Sequence, residues 1–419
     1  MRTAKDARSR LLLPLLLIRC ALFQLVPFVN NQLFTDHTPV LPYRPDEKAM
    51  IEQQSMTQSS AQVALISDGN AAASTIESVV ASAFSVGSLS LSDAIDAEGA
   101  LPGVAVFCLA RLSGGDAARI SDLCARHAIT PLFVFRSYKL QHVDAARALG
   151  AAHCFVPPYD DATIVAAVRA SLNAIVEASW SALHPSEERA LRSSVASFDT
   201  MLEAASVGQP LPLEKVTQAC ENIQHSLGES NVNRWLGALQ KHHDNTYRHS
   251  MFVCGVLAFF ARSLGIRGDE LKELTVGGFL HDAGKAMIPL AILDKPGKLD
   301  DEEWQVMRTH PAHSRDILLR EHGLSERIVR MAVHHHEKLN GGGYPDGLNA
   351  SQLDDPVRLT AICDVYAALA EERAYKPAMP PEKALEIMAG FEGHLDMDLL
   401  RAFRTFVLDQ VKRGEAVAA

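Results

Sequence analysis

The stretch Leu280-His281-Asp282-Ala283-Gly284-Lys285 closes an apolar helical pattern (Leu271, Leu274, Val276, Phe279) with three titratable side chains, and Gly284 and Pro289 then break the helix. Neighbouring His281 and Asp282 cannot share one helix face. At a fraying C-terminus, however, they can turn onto one cation from two sides, and Lys285, four residues after His281, comes back to the face of that histidine. On these residues alone two readings stand: a hydrogen-bonded His–Asp pair that ends a helix, or a pair of metal ligands.

Further histidines and aspartates recur at or near the ends of helical stripes: His249 upstream, then His310, the pair His335-His336, and Asp364. Neutral imidazoles with carboxylates make a mixed nitrogen and oxygen donor set. Such a set suits iron, manganese, cobalt, nickel or zinc and matches calcium poorly. Seven donors exceed the needs of one ion. With Asp282 as a bridge, His249, His281 and Asp364 would serve one ion, and His310, His335 and His336 a second. Two neighbouring ions can activate water and clamp both oxygens of an in-line phosphoryl displacement, which is hydrolysis of a phosphate ester. Any single histidine of the set could instead be a satisfied core residue.

The spelling of these motifs resembles the HD-GYP family, a branch of the HD metal-dependent phosphohydrolases. The matching residues are His281-Asp282-Ala-Gly-Lys285, Ile288-Pro289, Ile292 to Leu299, His310-Pro311, His335-His336-Glu337, Gly343-Tyr344-Pro345-Asp-Gly347-Leu348 and Asp364-Val-Tyr366. The resemblance implies an all-α domain that hydrolyses cyclic di-GMP to linear pGpG and, in some members, on to GMP. Carried over by motif, His249, His281, Asp282, His310, His335, His336 and Asp364 are the expected metal ligands. Asp282 and Lys285 are the expected catalytic residues, Lys285 meeting the scissile phosphate, and Arg373, Lys376 and Tyr344 join Lys285 in substrate binding. Two divalent transition metals are implied, iron or manganese first, then zinc, nickel or cobalt. The loop Asn340 to Gly347 is either a substrate lip or a docking surface for signalling proteins.

Some positions depart from the family pattern. Asn245 stands where some members carry a glutamate for a third metal, Asn340 and Ala367 where aspartates are usual, and Ala370 where threonine is common. Loss of carboxylates behind the ligands lowers metal affinity or turnover by about 10- to 100-fold. A catalytically weak or inactive protein that binds cyclic di-GMP or docks partners is therefore the alternative, and an HD hydrolase for another cyclic dinucleotide is a further one.

The net charge of −10 provides no basic field for a nucleic acid polymer, so an anionic nucleotide must find local cations such as Lys285, Arg373 and Lys376. The seven cysteines are scattered in apolar stretches without a Cys-x-x-Cys, the usage of reduced thiols in the cytoplasm. Basic residues precede the apolar run Leu11 to Ile18, but Pro14 and Arg19 interrupt it. The run is too short to span a bilayer, so no membrane association is expected.

The elements that must position the donors fall into four parts. Residues 1–60 are expected to be a poorly structured extension, the natural start falling at Met50 or Met56. Residues 61–180 alternate buried strands (Val63 to Ile66, Val104 to Leu109, Pro131 to Phe135, Cys154 to Val156) with amphipathic helices, the pattern of an α/β parallel sheet. Order and size resemble a receiver domain of two-component signalling. It is a degenerate one, because the third strand ends in Leu109-Ala110-Arg111 without a phosphate-accepting aspartate and the fifth in Pro157-Pro158 without a lysine. Residues 181–240 read as a helical connector starting at Pro185, and 241–415 as the all-α catalytic domain. A homodimer through the receiver-like domain or the connector is expected.

Overall fold

In the N-terminal part, strands β1 (Val63–Ser67), β2 (Val86–Ser90), β3 (Val104–Leu109), β4 (Thr130–Phe135) and β5 (His153–Phe155) form a 5-stranded sheet in the order β2-β1-β3-β4-β5, all pairs parallel. Every residue of β3 is buried because helices cover both faces. Alternation along the strands divides the core in two. Val63, Leu65, Val104, Val106, Leu132 and Val134 meet α1 (Ala72–Ala81) and α5 (Asp161–Ser179) on one face. Ala64, Ile66, Phe107, Phe133 and Phe135 meet α3 (Gly114–His127) and α4 (Leu140–Ala148) on the other. The computed structural model describes residues 61–69, 72–229, 237–295, 297–371 and 378–412. The expected extension 1–60 lies outside them, as do Arg373, Lys376 and residues 230–236 of the expected connector.

Strand β2 and the short helix α2 (Leu91–Ile95) are not legible as an apolar run. The sequence Val-Gly-Ser-Leu-Ser forms a half-exposed edge strand whose backbone pairing with β1, rather than side-chain burial, makes it a strand. Ser90 then caps α2 by accepting a hydrogen bond from Asp93 N. Where β3 ends, Ala110 N donates to Asp68 Oδ2 at 2.8 Å. Helix α5 with the turn after it (Asp161–Ala182) is long and apolar enough to cross a membrane by length and composition. Its Ile164, Val168 and Leu172 lie on the sheet, and Arg169 pairs with Asp294 at 2.8 Å.

The C-terminal part is helical. Pro185 at the first turn and a capping box between His184 and Glu187 open α6 (Pro185–Ser206), which is followed by α7 (Leu213–Glu229). Among the described residues there follow α8 (Asn245–Ser263), α9 (Gly268–Leu280), α10 (Leu290–Leu293), α11 (Asp301–Met307), α12 (His310–Leu318), α13 (Glu326–His334), α14 (Asp355–Ala370), α15 (Pro381–Ala389) and α16 (Met397–Lys412). Leu191 and Phe198 of α6 and Val216 and Ile223 of α7 share one apolar core with Phe252, Phe260, Phe279, Ile362 and Phe403. The connector helices thus pack onto the helices downstream. Helices α8 and α14 are buried nearly all round, so polar groups on them need partners inside the protein.

Candidate metal centre

Three histidines of the site sit at helix boundaries and are aimed the same way. His281 follows α9 and shares its Nδ1 with Gly278 O at 2.8 Å; His310 opens α12, with Nδ1 2.8 Å from Met307 O. His335, the C-cap of α13, has Nδ1 3.0 Å from Ala332 O. A carbonyl can only accept, so each ring carries a proton on Nδ1 and turns Nε2 toward the site. Unpaired carbonyls at a helix end or turn therefore supply both the tautomer and the aim.

Opposite them, His249 on α8 is held between two carboxylates. Its Nε2 is 2.9 Å from Asp364 Oδ1 on α14, and its Nδ1 is 2.9 Å from Glu371 Oε2 at the C-cap of that helix. Burial alone would lower the His249 pKa, but Asp364 and Glu371 outweigh it and raise it to about 9. This pocket is built to hold positive charge. Arg248 Nε, 3.6 Å from Glu371 Oε1, offsets the buried glutamate.

Asp282 lies at the centre, only 2% exposed. Its Oδ2 is 3.2 Å from His281 Nε2, 3.7 Å from His249 Nε2 and 2.5 Å from Lys285 Nζ; its Oδ1 is 3.2 Å from His310 Nε2 and 3.9 Å from His335 Nε2. Burial pushes its carboxyl up, yet the Lys285 ammonium and the imidazoles hold it well below the usual range. Asp364 behaves likewise, burial being overcome by the hydrogen bond from His249. Burial drives His335 down to about 3 and His336 well below its ordinary value. Both aspartates are therefore ionised and both of these imidazoles neutral, the forms that bind metal.

The donor atoms fall into sets lying within 4.8 Å of one another: His249, His281 and Asp364; His281, Asp282 and His335; and His310, His335 and His336. His281 Nε2 and Asp282 Oδ1 are buried without a well-formed hydrogen bond among the described residues. An unmade polar contact of that kind costs about 1–3 kcal/mol. Aimed imidazole nitrogens, ionised carboxylates and two buried polar atoms without a well-formed hydrogen bond fit a metal ion.

Close backbone approach is what lets these groups meet. A Cβ on Gly284 would stand 1.9 Å from His310 O and 2.5 Å from Ser314 N, so only glycine allows the turn after Asp282 to rest on the start of α12. Gly284 N also donates to Ser314 Oγ at 2.9 Å. The segment Ala283–Met287 is a 3-10 helix, whose three-residue turn places Lys285 against Asp282 rather than back on the face of His281. Behind the His pair, the Glu337 carboxylate accepts from Asp346 N (2.7 Å), Gly347 N (2.9 Å) and Leu348 N (3.0 Å), tying the loop to the metal side. Gly343 is required there, since a Cβ would lie 2.4 Å from Glu337 Cα. The Tyr344 ring stacks on His336 with centroids 4.8 Å apart, and Arg308 Cζ lies 4.5 Å over Tyr344.

All seven expected ligands, His249, His281, Asp282, His310, His335, His336 and Asp364, thus come together, with Lys285 and Tyr344 beside them. Arg373 and Lys376 lie outside the described residues. Sequence reasoning missed Glu371, Arg308 and Ser314. The one signal for Glu371 was a carboxylate directly after an apolar helical run. The departures from the family pattern are accommodated. Asn340 Oδ1 accepts from Gly342 N at 2.9 Å as an aspartate would, Ala367 is buried in the apolar core, and Asn245 Oδ1 accepts from Arg248 at 2.9 Å.

The chain is similar to known proteins over part of its length. The chain is 36% identical over 205 residues to a cyclic di-GMP phosphodiesterase of Pseudomonas aeruginosa, covering 49% of this chain and 50% of that protein. It is 42% identical over 145 residues to 3'3'-cGAMP-specific phosphodiesterase 3 of Vibrio cholerae, covering 34% and 31%. It is 29% identical over 238 residues to the cyclic di-GMP phosphodiesterase response regulator RpfG of Xanthomonas campestris, covering 56% and 60%. The chain spans half of the first of these curated relatives, less of the second and three fifths of the third. The profile of the HD domain family matches residues 232–399, the helical region in which the seven donors converge.

Proposed function

We propose that the chain is a metal-dependent phosphodiesterase of the HD-GYP type that hydrolyses cyclic di-GMP to pGpG, with GMP as the product of a second cut. The observation that carries this is the convergence of seven metal-type donors, the buried, ionised Asp282 among them. HD-domain phosphodiesterases depend on metal, and the relatives named above act on cyclic dinucleotides.

In this proposal His249, His281 and Asp364 would hold one ion and His310, His335 and His336 another, and Asp282 would serve both. Iron or manganese is expected first, with zinc, nickel or cobalt also compatible with the donors. When bound, the ions supply a water of lowered pKa and charge stabilisation for in-line displacement at phosphorus. The protein's own part is to fix the donors. Carbonyls behind His281, His310 and His335 set their tautomers, and Glu371 sets that of His249. Lys285, 2.5 Å from Asp282, is placed to exchange that partner for a phosphate oxygen and offset charge developing on the leaving oxygen. Tyr344 closes the rim on His336, and Arg373 and Lys376 are proposed to add cations to substrate binding.

Residues 61–180 are proposed as a degenerate receiver-like domain, 181–240 as a connector and 241–415 as the catalytic domain of a cytoplasmic signalling protein. Homodimerisation through the first two, and docking of signalling partners through the Gly343-Tyr344-Pro345 loop, belong to the same proposal. A second reading, activity on 3'3'-cGAMP, is favoured by the similarity to the Vibrio enzyme. Incubating manganese- or iron-loaded protein with cyclic di-GMP, 3'3'-cGAMP and cyclic di-AMP, and separating products by chromatography, decides among these. Cleavage of none by metal-loaded protein would leave a binding or docking protein instead.

A further inference from the structure

We propose that Arg308 binds the second, uncut phosphodiester of the cyclic dinucleotide, a role that rests on the function proposed above. Arg308 caps the end of α11, next to the Met307 carbonyl that aims His310 and two residues before His310 itself. Its guanidinium lies over the Tyr344 ring at 4.5 Å, and that ring is stacked on His336 at 4.8 Å. Arg308 is therefore fixed to both histidines through contacts independent of any ligand.

What singles it out is charge. Lys285 is engaged by Asp282 at 2.5 Å, and Arg248 faces Glu371 at 3.6 Å. Arg308 has no carboxylate at ion-pair distance among the described residues, although it borders a centre holding Asp282, Asp364 and Glu371. A guanidinium held over a ring at this distance still carries its N–H donors, in the fork that matches two oxygens of a phosphate. In a chain of net charge −10, such an unpaired cation is where a doubly anionic substrate gains most. The scissile phosphate belongs among the metal donors. A cation held on the Tyr344 ring that stacks on His336 is placed to meet the next anionic group of the same molecule.

The test uses the full manganese-loaded chain, cyclic di-GMP, and bis(p-nitrophenyl) phosphate, a diester with a single phosphate. In Arg308→Gln the KM for cyclic di-GMP should rise about tenfold or more, as expected for loss of a charge-assisted contact. Its kcat should stay within about twofold. Bound metal and turnover of the small diester should not change, and Arg308→Lys should recover part of the KM. Where turnover is slow, the Kd for fluorescently labelled cyclic di-GMP reads the same effect. An unchanged KM or Kd overturns the inference while leaving the proposed function standing. A parallel loss of metal and of both activities also overturns it, showing Arg308 to be a prop for Tyr344. Wild-type protein that cleaves the small diester but neither cleaves nor binds any cyclic dinucleotide refutes the proposed function, and this role with it.

Discussion

Replacing Glu371 tests the metal centre without removing any proposed ligand. Its Oε2 lies 2.9 Å from His249 Nδ1, and the residue is 2% exposed, so in Glu371→Ala water does not readily replace the lost acceptor. A buried N–H left without a partner costs about 1–3 kcal/mol. If that cost falls on the conformation that presents Nε2 beside Asp364, metal affinity drops by about 10- to 100-fold, the range measured for groups that orient ligands. Arg248 stays anchored through His242 O at 2.9 Å and Asn245 Oδ1 at 2.9 Å, so its loss of Glu371 should not unravel α8. Glu371→Gln retains an acceptor oxygen but no charge and should lose less than about tenfold. The assay is competition of the protein with a chelator of known affinity, beside thermal melts of the metal-free variants. Metal bound by Glu371→Ala with wild-type affinity would refute the reasoning. So would a fall in metal-free stability with affinity intact, which would make Glu371 a structural strut.

Gly284→Ala must open the contact with His310 O from 1.9 Å, which means shifting α12 outward or losing the turn. Overpacking of this kind costs about 1–3 kcal/mol, and both Tm and metal content should fall. Asp282→Ala should abolish bound metal and activity together, whereas Lys285→Ala should keep its metal and lose about 100-fold in kcat; metal analysis beside steady-state kinetics separates the two. His243 is held down to about 4, chiefly by burial, with His242, Arg248 and Arg169 adding to it. A histidine whose folded pKa lies below its unfolded value is stabilising in its neutral form. Stability should therefore decline as pH falls from about 6.5 toward 4, and His243→Gln should flatten that slope in urea titrations of the metal-free protein.

The clustered side chains were legible because their signal is local: His281-Asp282 and His335-His336 stand where apolar helical stripes end, and His310 stands at a helix start beside a proline. The sheet was legible for the same reason in β1, β3 and β4, where continuous apolar runs are buried on both faces. Strand β2 was not, since an edge strand needs only one neighbour and little burial. Glu371 and Arg308 were hidden because their meaning is tertiary: one gains it from a histidine 122 positions earlier, the other from a tyrosine in a distant loop. The 3-10 turn that gives Lys285 to Asp282 was also missed, because periodicity assumes 3.6 residues per turn throughout.

The tethering of His281, His310 and His335 to carbonyls one turn away divides the labour of building this centre. Each imidazole is pointed by its own few residues of backbone, and packing has only to bring finished pieces face to face. One residue inserted within α13 just before His335 would swing that side chain by about 100° around the helix axis and take it out of the cradle.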